Sequence, residues 1–101
     1  MRVMVLFDLP VATQQDRREY SRFRKALIRD GFMMLQESVY VKLALNATVA
    51  NSIMQSVRAK KPPKGLVQML VITEKQFSKM EIVLGEYHSE IIDSEERLVI
   101  L

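Results

Sequence analysis

The sequence predicts an α+β domain in which short apolar strands alternate with two amphipathic helices. Two apolar runs, residues 2–8 and 66–73, have the length and the β-branched content of strands. Two longer segments between these runs place their apolar residues at helical spacing. The chain has 101 residues, 49% of them hydrophobic, which suits one domain over residues 1–101 with one small core.

The first strand and the first helix are indicated by signals at their ends. The strand covers residues 2–8, and the X-Pro step that follows turns the chain away from the sheet. Thr13 is the expected N-cap of the helix, with Asp16 in the first turn, and Gly31 is its expected end. The apolar face of this helix is predicted to carry Tyr20, Phe23 and Leu27.

The middle of the chain repeats the pattern of strand and helix. Residues 32–45 are rich in β-forming residues and predict two short strands with a bend near residues 36–38. A second helix is expected to begin near Asn46 and to end before the Pro-containing break at residues 60–65. Residues 66–73 then predict a buried central strand. The buried face of the second helix is predicted to comprise Val49, Ile53, Met54 and Val57.

The resulting order, βαββαβ, predicts a ferredoxin-like arrangement with both helices on one face of an antiparallel sheet. Phe77 is expected in a short turn or helix, and residues 82–84 and 98–101 predict additional short C-terminal strands. The sheet face opposite the helices would then be uncovered. We therefore expect a homodimer, in which a second copy covers this apolar face.

Charge is distributed unevenly along the chain. Residues 1–79 contain 14 Lys or Arg and 6 acidic residues, whereas residues 80–101 contain one Arg and 6 acidic residues. A basic body predicts a polyanionic partner. The acidic residues 80–101 are interpreted as a C-terminal extension used in assembly.

Several classes of protein and site are disfavoured by what the sequence lacks. The absence of cysteine excludes disulfides and thiolate metal sites and agrees with a reducing cytoplasm. No segment is long enough to span a membrane, and the N-terminal apolar run does not resemble a signal peptide, so we expect a cytoplasmic protein. The sequence has no glycine-rich phosphate loop and no zinc or nucleophile motif. The one histidine, His88, is expected on the surface, with a role as a pH switch as the lesser alternative.

The first strand ends in a single carboxylate, Asp8, directly before Leu9-Pro10. An acid before an X-Pro step is an ordinary way to turn a chain away from a sheet edge. The same position would also suit a residue that acts in a site, because a strand end presents its last side chain at the sheet margin. Both interpretations of Asp8 stay open on the residues alone.

The first helix also carries a stripe of cations, which we call the α1 stripe. At 100° per residue its members lie within about 60° of one another and opposite the apolar face. The α1 stripe comprises Arg18, Arg22, Lys25 and Arg29. The stripe is roughly 16 Å long. Its members carry the same charge and repel one another, so a row of nucleic-acid phosphates is a favourable partner for it. A second basic patch is equally compatible with a soluble loop and with a contact to a partner; it comprises Arg58, Lys60, Lys61 and Lys64.

Five segments together resemble a known family. These are Phe7-Asp8-Leu9-Pro10, Gly31 after an Arg-rich helix, Leu35-Gln36-Glu37-Ser38-Val39-Tyr40, Thr73-Glu74-Lys75-Gln76-Phe77 and Arg97-Leu98-Val99-Ile100-Leu101. They resemble the small second CRISPR-associated (Cas) protein, which is the partner of the Cas integrase in spacer acquisition. The last two segments are similar to the versions found in type II loci.

The resemblance implies a ferredoxin-like homodimer in which Asp8 of each chain meets its mate across the two-fold axis and binds Mg²⁺. It implies a metal-dependent endonuclease acting on RNA or DNA, and also a bridge that joins two integrase dimers and grips duplex DNA. Two carboxylates with waters would complete an octahedral Mg²⁺ site, and the hydrated ion could deliver a hydroxide to a phosphate. A stand-alone, toxin-like ribonuclease of similar fold is the alternative.

The candidate residues follow from the stripe and the resemblance together. Asp8 is the candidate catalytic and metal-binding residue. The family's basic positions at the helix start map approximately onto Arg17 and Arg18, and Met34 stands where a basic residue is often found. The candidate nucleic-acid-binding residues are Arg17, Arg18, Arg22, Lys25, Arg29, Lys60 and Lys61.

Overall fold

The computed structural model describes residues 1–86, which form a four-stranded antiparallel sheet, two longer helices on one of its faces and a short third helix. The elements are β1 (Arg2–Asp8), α1 (Gln14–Arg29), β2 (Met33–Gln36), β3 (Val39–Leu43), α2 (Ala47–Ala59), β4 (Leu66–Ile72) and α3 (Glu74–Ser78). This architecture confirms the predicted α+β, ferredoxin-like fold. His88 and the predicted strand at residues 98–101 lie outside the described residues.

The predicted helix ends are confirmed because capping side chains act locally. Thr13 and Asp16 form a capping box: Thr13 Oγ1 accepts from the Asp16 amide at 3.0 Å, and Asp16 Oδ2 accepts from the Thr13 amide at 3.2 Å. After α1, Gly31 takes a φ of +96°, a conformation that favours glycine. At the start of α2, Asn46 Oδ1 accepts from the Val49 amide at 2.9 Å.

The strand order is β2-β3-β1-β4, so β1 and β3 are the central strands. The prediction that residues 66–73 form a central strand was wrong, because β4 lies at the sheet edge within residues 1–86 and pairs there with β1 alone. Its side chains alternate between the helix-covered face and the opposite face, where Leu66 and Leu70 are 54% and 53% exposed. Residues 66–72 are mostly apolar because both faces of β4 carry apolar side chains, and not because β4 lies at the centre of the sheet.

The main core lies between the sheet and the two long helices. Phe7 is at its centre: its ring stacks on that of Tyr40 with centroids 5.7 Å apart and meets the edge of Phe23 at 5.3 Å. The prediction that Val49 is buried was wrong, since Val49 is 36% exposed and Ala50 is buried instead. The buried face of α2 is centred about 90° away from Val49 on the helix.

The opposite face of the sheet is only partly open, contrary to the prediction that it is uncovered. Phe77 of α3 packs there in a second, smaller cluster with Met4, Leu35 and Val41. Glu74 fixes α3 to β1, because its carboxylate accepts from Arg2 Nε at 3.0 and 3.1 Å.

The chain beyond α3 is irregular up to residue 86. The predicted strand at residues 82–84 was wrong for this structure, since Val83 and Leu84 are 88% and 95% exposed and pair with no strand in the described part of the chain. None of the helices within residues 1–86 combines the length and the hydropathy needed to cross a bilayer.

Candidate functional site

Asp8 is the last residue of β1, where it pairs in register with Leu66 of β4. Because side chains alternate along a strand, Asp8 shares the face of Met4 and Leu6, opposite the face on which Phe7 packs against the helices. The Asp8 side chain is exposed, and no hydrogen bond or ion pair joins its carboxylate to another group within residues 1–86. Its oxygens are therefore available to a ligand.

A single chain supplies too few ligands for a metal ion at this position. No group of three or more His, Cys, Asp or Glu side chains that could hold a metal occurs among residues 1–86. Mg²⁺ prefers carboxylate oxygens and keeps several waters, so one exposed carboxylate has the correct chemistry but gives only one protein ligand. A second copy of Asp8 would supply the missing one.

The surface around Asp8 is apolar. Leu66 and Leu70 are about half exposed on this face of the sheet, and Leu6 and Val39 are half-buried beside them. Exposed apolar side chains that lie together on one sheet face are typical of an interaction surface. We call the surface formed by Leu6, Val39, Leu66 and Leu70 the open face. Asp8 lies at the end of the open face.

The structure brings the α1 stripe together on one exposed face of the helix, since Arg18, Arg22, Lys25 and Arg29 all point away from the buried Phe23. Three of these residues, together with Arg17, line a shallow depression along the first turns of α1: Arg18, Arg22 and Lys25. One member of the stripe is paired with an acid: the Arg22 guanidinium lies 2.6 Å from the Glu19 carboxylate.

Arg17 lies at the start of the same helix and also holds the preceding loop. Its Nη1 donates to the carbonyl oxygens of Val11 and Ala12, at 3.1 and 3.3 Å. The side chain is exposed, so its other donors still face solvent. Arg17 thus extends the basic surface toward the loop that follows Asp8.

The α1 stripe and Asp8 lie on opposite sides of the sheet. α1 packs its apolar residues on the face of Phe7, and the stripe points outward from there, whereas the Asp8 side chain belongs to the other face. A phosphate bound at the centre of the stripe of one chain is therefore separated from the Asp8 carboxylate of that chain by a layer of helix and sheet.

Lys60 and Lys61 of the second basic patch differ in whether they form an ion pair. Lys60 Nζ donates to the Asp30 carboxylate and, at 3.1 Å, to Ser56 Oγ, which leaves Lys60 half-buried. This hydrogen bond from Lys60 holds the pKa of Asp30 below its ordinary value. Lys61 is exposed, and we find no ion pair for it in the described part of the chain. Only Lys61 of these two predicted residues is fully available to a phosphate.

Lys64, a member of the second basic patch, and Gly65, which the sequence did not single out as functional, lie directly before β4. Lys64 Nζ is 3.3 Å from Asp16 Oδ1, and Asp16 is 7% exposed. The hydrogen bond from the Thr13 backbone, and then that from Lys64, lower the pKa of Asp16. Gly65 follows with a φ of +100°, and a Cβ placed there would lie 2.8 Å from the Asp8 carbonyl oxygen. The Pro-Pro-Lys-Gly sequence indicated a turn but not what the turn contacts.

Comparison with known proteins gives one consistent family. The family model described as CRISPR associated protein Cas2 matches residues 1–80. A protein named CRISPR-associated endoribonuclease Cas2 from Treponema denticola is 55% identical over 101 residues, which cover 100% of both chains. Proteins of the same name from Ligilactobacillus salivarius and Streptococcus mutans are 46% and 41% identical over 101 residues, covering 100% of this chain and 100% and 93% of theirs.

Proposed function

Because this chain belongs to the Cas2 family of CRISPR-associated proteins, we propose that it acts in CRISPR adaptation as a homodimer that binds duplex DNA and bridges integrase dimers. We further propose that the same dimer is a nuclease that hydrolyses phosphodiester bonds with Mg²⁺, as the name endoribonuclease of its relatives suggests. Its expected location is the cytoplasm.

One observation carries the proposal for the nuclease: Asp8 is exposed at the end of a strand, beside the open face. Burying Leu66 and Leu70 against the same residues of a second copy is favourable, at roughly 25 cal/mol per Å² of apolar surface. A two-fold axis through this end of the sheet would bring two Asp8 carboxylates together. Each chain would then contribute one oxygen ligand, and waters would occupy the remaining positions.

The chain's own residues have separate tasks in this reaction. The paired Asp8 carboxylates would hold the ion, and Leu66 and Leu70 would exclude water from the contact between the two sheets. When bound, Mg²⁺ supplies a Lewis acid for the phosphate and a water of lowered pKa as the nucleophile. The substrate is a phosphodiester of duplex DNA or of single-stranded RNA.

The adaptor function is favoured by a second observation, the position of the α1 stripe on the opposite side of the sheet from Asp8. A duplex held by the stripe stays clear of the carboxylate of the same chain, so gripping DNA does not require cutting it. Contacts to phosphates give affinity without sequence specificity, which suits a protein that handles DNA of any sequence.

Contact with the integrase is assigned in this proposal to the acidic residues 80–101. β4 has an open edge among the described residues, and an added strand would satisfy its free backbone groups. Residues 98–101 are the predicted strand that would make this addition, to the dimer mate or to the integrase.

A cleavage assay tests the proposal. Purified protein is incubated with labelled RNA and with duplex DNA, in Mg²⁺ and in chelator, beside an Asp8→Ala variant. We expect cleavage only with the metal, its loss in the variant, and unchanged dimerisation and duplex binding. Cleavage that is equal in the variant would show that Asp8 is not the metal ligand. Cleavage by a protein that fails to capture the cognate integrase in a pull-down would favour the stand-alone ribonuclease instead.

A further inference from the structure

The connector between α2 and β4, residues 60–65, is attached to both ends of α1. Near the C-terminal end of α1, Lys60 pairs with Asp30, and near the N-terminal end Lys64 pairs with Asp16. Pro62 and Pro63, which lie between the two lysines, limit the backbone freedom of the connector. Two of the three lysines in this basic connector thus form ion pairs within the chain, and the Lys64 side chain remains 68% exposed.

The connector ends against the backbone that carries Asp8. A Cβ on Gly65 would lie 2.7 Å from Leu9 Cδ2 and 2.8 Å from the Asp8 carbonyl oxygen, so only glycine allows this approach. The next residue, Leu66, pairs in register with Asp8. Gly65 thus lies directly against the end of β1, and Lys64, the residue before it, ties this end of the connector to the start of α1.

The Asp8 carboxylate has no side-chain partner within residues 1–86 to hold it. The backbone of the strand end therefore sets where this side chain starts, and no neighbouring side chain among residues 1–86 limits its rotation. Mg²⁺ requires its oxygen ligands at about 2.0–2.1 Å in near-octahedral geometry, so a small shift of either strand end would separate a shared pair of carboxylates from the ion.

We propose that Lys64 and Gly65 are positioning residues that hold the β1 strand end, and with it Asp8, in the orientation that metal binding needs. The part of this proposal that concerns metal rests on the proposed function of Asp8. Lys64 acts through Asp16, which the Thr13 capping box fixes at the start of α1. Gly65 acts by direct contact with the Asp8 backbone.

The first test measures the strand end without metal. Lys64→Met removes the ion pair to Asp16 but keeps the aliphatic part of the side chain, and Lys61→Met is the matched control from the same connector. In hydrogen exchange, we expect the amides of residues 7–9 to exchange about two- to fivefold faster in Lys64→Met, as for loss of one ion pair. The exchange rates of Lys61→Met should match those of the wild type, and Lys64→Arg, which keeps the positive charge, should also exchange at wild-type rates. Equal exchange in the two Met variants would overturn the proposal.

The second test measures metal affinity with Mn²⁺ as the probe. We expect Lys64→Met to weaken Mn²⁺ binding about tenfold, as loss of a group that orients a ligand does, while Lys61→Met leaves it unchanged. An affinity equal to the wild type in Lys64→Met would overturn the link to the metal. If instead Asp8→Asn bound Mn²⁺ as tightly as the wild type, the proposed metal site would be wrong. Hydrogen exchange would still decide the positioning function in that case.

The chain provides its own control for Gly65. Gly85 has nearly the same φ, +102°, but a Cβ there would meet nothing within 4 Å. Gly65→Ala and Gly85→Ala therefore both place a side chain at a positive φ, and only the first adds a contact with Asp8 and Leu9. We expect faster exchange at residues 7–9 and weaker Mn²⁺ binding in Gly65→Ala alone. The same result in both variants would contradict a specific contact. Should Gly65→Ala fail to fold, Lys64→Met decides.

Discussion

Replacing all four residues of the α1 stripe by Ala tests phosphate binding without changing the face of α1 that packs on the sheet. The stripe extends over roughly 16 Å, and log affinity for duplex DNA falls with log salt at a slope of about −0.9 for each phosphate neutralised. Arg18, Lys25 and Arg29 form no ion pair within residues 1–86, although Arg29 lies near Asp30, whereas Arg22 is paired with Glu19. We therefore expect the fourfold variant to reduce the steepness of the slope by about three units for each chain that contacts the duplex.

Fluorescence anisotropy with a labelled duplex, from about 50 to 200 mM salt, measures this slope. The fourfold variant should melt at nearly the wild-type temperature, because its four side chains are exposed and make no core contact. A variant with Lys75→Ala and Lys79→Ala is the control for reduced charge. These two lysines lie in and directly after α3, on the other side of the sheet, and should leave the slope unchanged.

An unchanged slope in the fourfold variant would refute the assignment of the stripe to phosphates. If duplex binding stayed constant while capture of the integrase was lost, the stripe would instead be a docking surface for acidic residues of that partner. Glu19→Gln provides an internal check, because freeing Arg22 should make the slope steeper by up to about one unit. No change in that variant would show that Arg22 lies outside the contact.

Three further predictions follow from the open face, the Asp30 ion pair and the C-terminal extension. Leu70→Gln should shift the dimer toward monomer in light scattering without unfolding it, and an unchanged dimer would exclude the open face as the interface. The hydrogen bond from Lys60 lowers the pKa of Asp30 from its ordinary value of 3.8, so this carboxylate stabilises the fold above about pH 4, and the stabilisation is lost as the pH falls through the lowered pKa. The melting temperature of Asp30→Asn should therefore depend less on pH across this range. Identical pH profiles for the variant and the wild type would contradict this contribution. Deleting residues 95–101 should weaken integrase capture, and unaltered capture would show that this segment is dispensable.

The helix ends could be predicted because their causes are local. A capping residue satisfies amides two or three positions away, so Thr13 and Asn46 indicate their helices from the sequence alone. Gly31 likewise ends α1 through its own backbone conformation. The exposed α1 stripe was predictable for the same reason, since helical periodicity is a property of one segment.

The partners of the connector lysines could not be predicted, because they lie far away in the chain. Lys60 and Lys64 reach acids 30 and 48 residues earlier, and only the folded sheet brings these segments together. The same limit explains why β4 was wrongly predicted to be a central strand, since apolar residues on both faces of a strand do not show which strands it pairs with. Asp8 was recognised from its place at a strand end and from family resemblance. In the proposed site, the second protein ligand would come from another chain, so no pattern within one chain predicts it.

The most direct test of the proposed shared site is the stoichiometry of Mn²⁺ binding, measured by titration calorimetry on the purified protein. If two Asp8 carboxylates hold one ion, we expect about one Mn²⁺ per two chains. Binding should be lost in Asp8→Ala and weakened in Leu70→Gln to the extent that the dimer dissociates. A stoichiometry of one ion per chain, or binding that survives in Asp8→Ala, would contradict a site shared between two strand ends.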